Sequence, residues 1–282
     1  MLKIFIIGNG FVGKATNILK SDKVNINIYD KNPDLCNPIE TKLEDCIDSD
    51  IIFICVPTPM SEDGSCYLGI INSVVDDLKK YINFNEKIVI LRSTVTPGTS
   101  DNLNLYFMPE FLTEKNFKQD FVNNKNWIFG LKNTSQDTIF MEKIKQLIDI
   151  SFSDQKIKFN NTTFLKNKEA EMVKLFRNNF LTVKVGFCNE IYNYCKLKGI
   201  NYDNIIDIAA SDSRIGLSHT MVPGQDGNFG FGGTCFPKDI SNTLCDMKNN
   251  NMKSYILEAC LERNNKVDRQ TEDWKCKGRS VI

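Results

Sequence analysis

One histidine, His219, stands in 282 residues. That scarcity argues against multi-histidine metal centres and against a Ser-His-Asp triad anywhere but beside residue 219. An excess of one charge is missing too: Lys plus Arg and Asp plus Glu both number 35, for a formal net charge of zero. Nucleic-acid binders usually carry a basic surplus or stripe, so no nucleic-acid partner is expected. No apolar run approaches the ~20 residues of a membrane span, and the run before Gly8 is too short for the core of a signal peptide. No membrane association is therefore expected. The ten cysteines never form C-x-x-C, so zinc-ribbon spacing is absent, no metal is expected, and the scatter suggests reduced thiols in a cytoplasmic compartment. What remains is globular composition, 41% hydrophobic and 25% charged, in a chain long enough for two domains.

The first half alternates short β-like runs with helical patterns. Lys3–Ile7, Val24–Tyr29, Ile51–Val56, Lys87–Leu91 and Trp127–Gly130 are strand candidates, with helices over Phe11–Leu19 and Gln136–Ile150. That alternation predicts βαβ units and a parallel sheet. From about residue 168 the character changes. Glu169 to Leu197 carries apolar residues at helical spacing with one Gly and no Pro, which predicts one long helix. Asn201 to Cys260 reads as short helices around a glycine-rich loop, Gly224 to Gly233, and the polar stretch Asn264 to Ile282 as a tail that frays. The expected fold is α/β: a Rossmann-type dinucleotide-binding domain over residues 1–162, then an all-α central domain built on the long helix over residues 163–282.

Gly8-Asn9-Gly10-Phe11-Val12-Gly13 follows a strand and opens a helix. Gly8 permits a tight turn, Gly10 lets a pyrophosphate approach the backbone, and Gly13 allows close packing of helix on sheet. Asp30 ends the second strand 17 positions after Gly13, where an acid can bind a ribose 2′-OH and repel a 2′-phosphate; NAD is the expected cofactor. Cys55-Val56-Pro57-Thr58-Pro59 and Arg92-Ser93-Thr94-Val95-Thr96-Pro97-Gly98-Thr99 each follow a strand at the edge where such sheets hold ligands, which makes Thr58 and Thr94 candidate hydroxyl donors.

Three further constellations carry chemistry. In Pro109-Glu110-Phe111-Leu112-Thr113-Glu114 two carboxylates stand four positions apart and would share a face on a helical turn. Lys174 and Asn178 stand at i, i+4 on the long helix, a donor pair suited to a developing oxyanion. In Phe229-Gly230-Phe231-Gly232-Gly233-Thr234-Cys235-Phe236-Pro237-Lys238-Asp239 the glycines allow backbone to pack on a ligand. A helix beginning at Cys235 would there activate its thiol as a nucleophile, aided by nearby cations such as Lys238.

Taken together, G-N-G-F-V-G, C-V-P-T-P, S-T-V-T-P-G-T, P-E-F-L-T-E, E-M-V-K-L-F-R-N-N-F-L, D-S-R-I-G and F-G-F-G-G-T-C-F-P-K-D, in this order from Lys3 to about Asp239, resemble the UDP-glucose/GDP-mannose dehydrogenase family, and most closely its UDP-glucose-oxidising members. The resemblance implies oxidation of a nucleotide sugar's primary alcohol to a carboxylate with two NAD, as in UDP-glucose to UDP-glucuronate, a step of polysaccharide biosynthesis. It implies Cys235 as the nucleophile, Lys174 and Asn178 as oxyanion donors, Asp239 with a water at the alcohol proton, Glu110 and then Glu114 for the hydrolytic water, and Thr94 beside substrate and water. Gly8, Gly10, Phe11, Val12, Gly13, Asp30, Thr58 and Thr94 would hold NAD, with Lys238 at the pyrophosphate or the thiolate. Phe111, Leu112, Arg214 and the loop Phe229, Gly230, Phe231, Gly232, Gly233 would meet the sugar nucleotide, Arg214 across the interface of a homodimer formed on the long helix. The sequence departs from the family pattern at Met108, where Asn is common, and at Asn124 and Asn126, where Pro and Arg are expected. Family members also continue into a second α/β domain, whereas this sequence stops at Ile282. The alternative readings are a GDP-mannose or UDP-N-acetyl-sugar dehydrogenase, a 6-phosphogluconate-type hydroxyacid dehydrogenase, which needs no thiol, and a non-catalytic nucleotide-binding homologue.

Overall fold

Unbroken runs of Ile, Val and Phe belong in a sheet covered on both faces. In the computed structural model, which describes residues 1–276 and 281–282, they build one. β1 (Leu2–Ile7), β2 (Val24–Tyr29), β3 (Ile51–Ile54), β4 (Ile88–Leu91), β5 (Tyr106–Phe107), β6 (Trp127–Leu131) and β7 (Thr162–Lys166) form a seven-stranded sheet in the order β2-β1-β3-β4-β5-β6-β7. Every residue of β3 and β4 is buried. All neighbouring strands run parallel except β5 and β6, which meet antiparallel at Phe107 and Gly130. The chain passes from β1 outward to β2 and back to β3 on the other side of β1. The carboxyl ends of β1 and β3 therefore flank a topological switch point, where open α/β sheets bind ligands.

The helices of this half are α1 (Phe11–Thr16), α2 (Gly69–Leu78), α3 (Thr99–Asn102), α4 (Phe117–Val122) and α5 (Asp137–Ser153). α2 buries Ile71, Val75 and Leu78 and α5 buries Phe140, Ile144, Leu147 and Ile148, each set at helical spacing. The Phe140 ring stacks on Tyr106 of β5. Beyond the sheet come α6 (Asn167–Lys198), α7 (Tyr202–Ala209), α8 (Phe236–Asn249) and α9 (Ile256–Arg263). With 32 residues α6 is the long helix expected, about 48 Å at 1.5 Å per residue.

The chain divides into two compact units, Met1–Thr58 with Leu68–Lys174, and Pro59–Tyr67 with Leu175–Ile282. The first holds the sheet, which runs past residue 162 because β7 pairs with β6 along Thr162–Lys166. The second is helical. Three local expectations change. The first helix ends at Thr16 and tightens into a 3₁₀ turn over Asn17–Leu19. Glu110 to Thr113 is irregular rather than helical, so its two carboxylates do not share a helix face. From Asn264 to Asp273 the expected tail is ordered: it continues α9 as a π-helical turn, Asn264–Asp268, and buries Asn264, Arg269 and Trp274 just beyond, while residues 277–280 of that expectation lie outside the described residues. Its polar side chains are buried because they find partners, which composition alone does not reveal. Among the described residues no helix is long and apolar enough to cross a membrane.

Candidate active site

The glycine turn after β1 is as tight as its sequence demands. Gly8 has φ +96°, and a Cβ there would lie 2.7 Å from the Cys55 carbonyl oxygen; a Cβ at Gly13 would strike the Gly8 carbonyl. Gly10 faces open space, with nothing within 4 Å of where its Cβ would be. Asp30 fastens the turn: one carboxylate oxygen accepts from Asn9 N at 2.7 Å and the other from Asn32 N at 2.9 Å. Asn9 Oδ1 is buried without a partner. Open backbone at Gly10, an orphaned acceptor beside it and an acid at the end of β2 fit a dinucleotide. Phe11 and Val12 open α1, half-buried, and Val12 packs on the core.

At the ends of the next strands the hydroxyl of Thr58 donates to the Thr94 carbonyl at 2.9 Å. Its proton is thus committed inside the protein, and toward a ligand Thr58 acts as an acceptor. Glu110 is buried, 6% exposed, and receives the Lys174 ammonium on Oε1 at 2.7 Å and Leu112 N on Oε2 at 2.9 Å. Lys174 also lies over the Phe111 ring, 5.8 Å from its centroid. Phe111 and Leu112 are half-buried, whereas Glu114 is exposed.

In the second unit, Cys235 is the N-terminal cap residue of α8, with Pro237 in the first turn, where its missing N–H costs nothing. Asp239, 1% exposed, takes the Lys238 ammonium at 2.6 Å on one oxygen and the Asn178 amide on the other. Burial pulls the Lys238 ammonium down, but Asp239, Cys66 and Cys235 together lift it above its usual range. The Thr234 hydroxyl lies 3.8 Å from Cys235 Sγ. The two donors of the Lys-x-x-x-Asn pair therefore each rest on a carboxylate, Lys174 on Glu110 and Asn178 on Asp239. The Arg214 side chain is 87% exposed and pairs with Asp212. The glycine loop from Phe229 to Gly233 has positive φ at Gly230 and Gly233. Phe229 is partly exposed and lies against Tyr192, while Phe231 is buried.

Two buried polar groups escaped the sequence. Arg92, 2% exposed, bonds the Thr16 hydroxyl and lies over Phe121, with Nε unpartnered; burial holds its guanidinium below the ordinary range. Glu171, fully buried, accepts from Gly98 N and Ser100 N at 2.5 and 2.8 Å, and burial pushes its carboxyl up against those bonds. Both stand inside motifs, yet only the fold reveals that each is buried. Among the described residues no group of three or more His, Cys, Asp or Glu could hold a metal.

The chain matches known proteins over most of its length. Models of the UDP-glucose/GDP-mannose dehydrogenase family match residues 38–149 as its NAD binding domain and 168–266 as its central domain. A UDP-glucose 6-dehydrogenase of Campylobacter jejuni is 30% identical over 304 residues, covering 93% of this chain and 72% of that protein. One from Rickettsia bellii is 27% identical, covering 93% and 67%. The solved UDP-glucose dehydrogenase of Pyrobaculum islandicum superposes with a TM-score of 0.78 at 23% identity, over 94% of this chain and 68% of that one. With the dinucleotide turn in its first unit and the capped cysteine in its second, the chain belongs to the UDP-glucose/GDP-mannose dehydrogenase family, NAD-dependent oxidoreductases of nucleotide sugars.

Proposed function

We propose that the chain oxidises the C6 alcohol of UDP-glucose to the carboxylate through a thioester on Cys235. The observation that carries this reading is the grouping on α8: a cysteine at the helix cap, Lys238 and Asp239 one turn on, and Asn178 on the same carboxylate. NAD, held by the glycine turn and Asp30, supplies the hydride acceptor for both oxidations, two being consumed per sugar. Asp239, with a water, takes the alcohol proton as the aldehyde forms. Cys235, as thiolate, adds to the aldehyde carbon to give a thiohemiacetal, with Lys238 three residues on. Lys174 and Asn178 stabilise its oxyanion. Loss of the second hydride leaves a thioester; water activated by Glu110, with Glu114 second, cleaves it to carboxylate and free thiol. Thr94 stands beside that water. Phe111, Leu112, Arg214 and the Phe229–Gly233 loop bind the sugar nucleotide.

The relatives named UDP-glucose 6-dehydrogenase support this sugar over GDP-mannose and N-acetylated UDP-sugars. A single-step hydroxyacid oxidation would leave Cys235 without a task. The test is NADH formation with each of the three sugar classes. UDP-glucose should be preferred at least tenfold in kcat/KM, with UDP-glucuronate as product; preference for another sugar would refute the assignment.

The working form is a homodimer, in the cytoplasm. Phe176, Phe180 and Phe187 lie along α6 with 62%, 60% and 63% of their surface exposed, and the first two rings stack. A second copy would cover such a stripe. Phe180→Glu should sediment as a monomer where the natural chain sediments as a dimer; a natural chain that sediments as a monomer would refute this.

A further inference from the structure

The chain beyond α9 does something unusual. It widens into a π-turn, Asn264–Asp268, closed by Arg269 N donating to the Asn264 carbonyl at 2.7 Å. π-helix accounts for well under 1% of residues and appears mostly as single turns, frequently at functional sites. This turn aims one side chain inward. Asn264, 1% exposed, accepts from Phe231 N on Oδ1 at 2.8 Å and donates from Nδ2 to the Phe231 carbonyl at 3.2 Å.

Gly230, before Phe231, is bonded in the same way, and Gly232, after it, lies against a buried group. Gly230 N donates to Oδ1 of Asn189, 2% exposed, at 3.0 Å. Behind Gly232 lies the guanidinium of Arg269, also buried, which bonds Asp226 at 2.7 Å and Asp273 at 2.5 and 3.0 Å. Arg263 staples the turn to itself through Asp268 at 3.1 Å. A Cβ at Gly230 would strike Asn264 Oδ1, and one at Gly232 would strike the Arg269 guanidinium. These two glycines are small because the clamp is close. Gly233 has no atom within 4 Å of its would-be Cβ and is a glycine for its φ of +75°.

We propose that Asn264 and Arg269, with Asn189, are positioning residues that hold the glycine loop in its binding-competent shape and thereby place Cys235, five residues after Gly230. The inference rests on the reading of that loop and cysteine under Proposed function. A glycine-rich loop loses more conformational freedom on ordering than any other sequence. Fixing it beforehand from behind removes that cost from substrate binding. The clamp residues are buried behind the loop and the glycine turn read as holding NAD belongs to the other unit, so loss of the clamp acts on one side of the reaction only: sugar binding weakens and NAD binding does not.

The experiment uses the full chain and two independent readouts. Hydrogen exchange in Asn264→Ala should accelerate at least tenfold in peptides spanning residues 229–235, with β1 to β4 unchanged as the control for folding. In steady state the same variant should raise KM for the nucleotide sugar about tenfold or more and leave KM for NAD within twofold. Gly232→Ala, whose methyl strikes the Arg269 guanidinium, and Arg269→Ser, which removes it, should each show the same sugar defect. Unchanged exchange in Asn264→Ala, an equal rise in both KM values, or an Arg269→Ser variant with an unchanged sugar KM would overturn the proposal. If the natural chain turns over no nucleotide sugar, the functional reading fails while the exchange arm still decides whether Asn264 holds the loop.

Discussion

Replacing Lys174 by methionine keeps the side chain's bulk and removes its charge, leaving Glu110 in place with 6% exposure. The two charged groups lie 2.7 Å apart, an attraction of about 6 kcal/mol at an effective dielectric of 20. Desolvating both groups offsets much of this in the natural protein, but the single variant keeps the desolvation of Glu110 and loses the attraction. Breaking a buried pair in this way costs roughly 3–5 kcal/mol. Lys174→Met with Glu110→Gln removes both charges, and the amide oxygen still accepts from Leu112 N. That double variant should recover about 2 kcal/mol or more of the loss. Urea unfolding followed by tryptophan emission at pH 8 measures each corner of the cycle, Trp127 reporting from the first unit. A single variant costing under about 1 kcal/mol at pH 8, or a double variant no better than the single, would refute the reasoning.

Two more expectations concern the first unit. Gly13→Ala places a methyl against the Gly8 carbonyl, which cannot yield without opening the turn, so NAD binding by calorimetry should weaken at least tenfold, whereas Gly10→Ala, in open space, should fold as stably as the natural chain. Asp50 is pushed up by burial but drawn further down by Lys143 and by Lys3 N–H, for a net pKa below the ordinary value. A lowered carboxyl pKa contributes stability above the ordinary value of about 4 that is lost as pH falls through the lowered one. Lys143→Met should therefore cost about 0.5–1 kcal/mol at pH 7 and nothing at pH 2; an equal cost at both would contradict it.

How much was legible in the sequence differs from element to element, for physical reasons. The dinucleotide turn was legible because each glycine answers a separate steric need, and β3 and β4 because four buried apolar residues in a row have few other uses. β5 was not, since Tyr106-Phe107 becomes a strand only through its neighbours β4 and β6. The i, i+4 spacing of Glu110 and Glu114 suggested a shared face, but Thr113 is drawn by N–H and hydroxyl to Asp120, and the segment is not helical. Asn264 and Arg269 looked like solvated tail because polar residues are buried only where partners await them, and those partners, Phe231, Asp226 and Asp273, are set by the fold.

The central claim is that Cys235 carries the sugar between two oxidations, and counting NADH per UDP-glucose consumed tests it directly, with the natural chain and Cys235→Ser side by side. Two NADH per sugar from the natural chain, and turnover lost or stalled at a sub-stoichiometric burst in the variant, is the predicted result. One NADH per sugar, insensitive to the substitution, would contradict the thioester route.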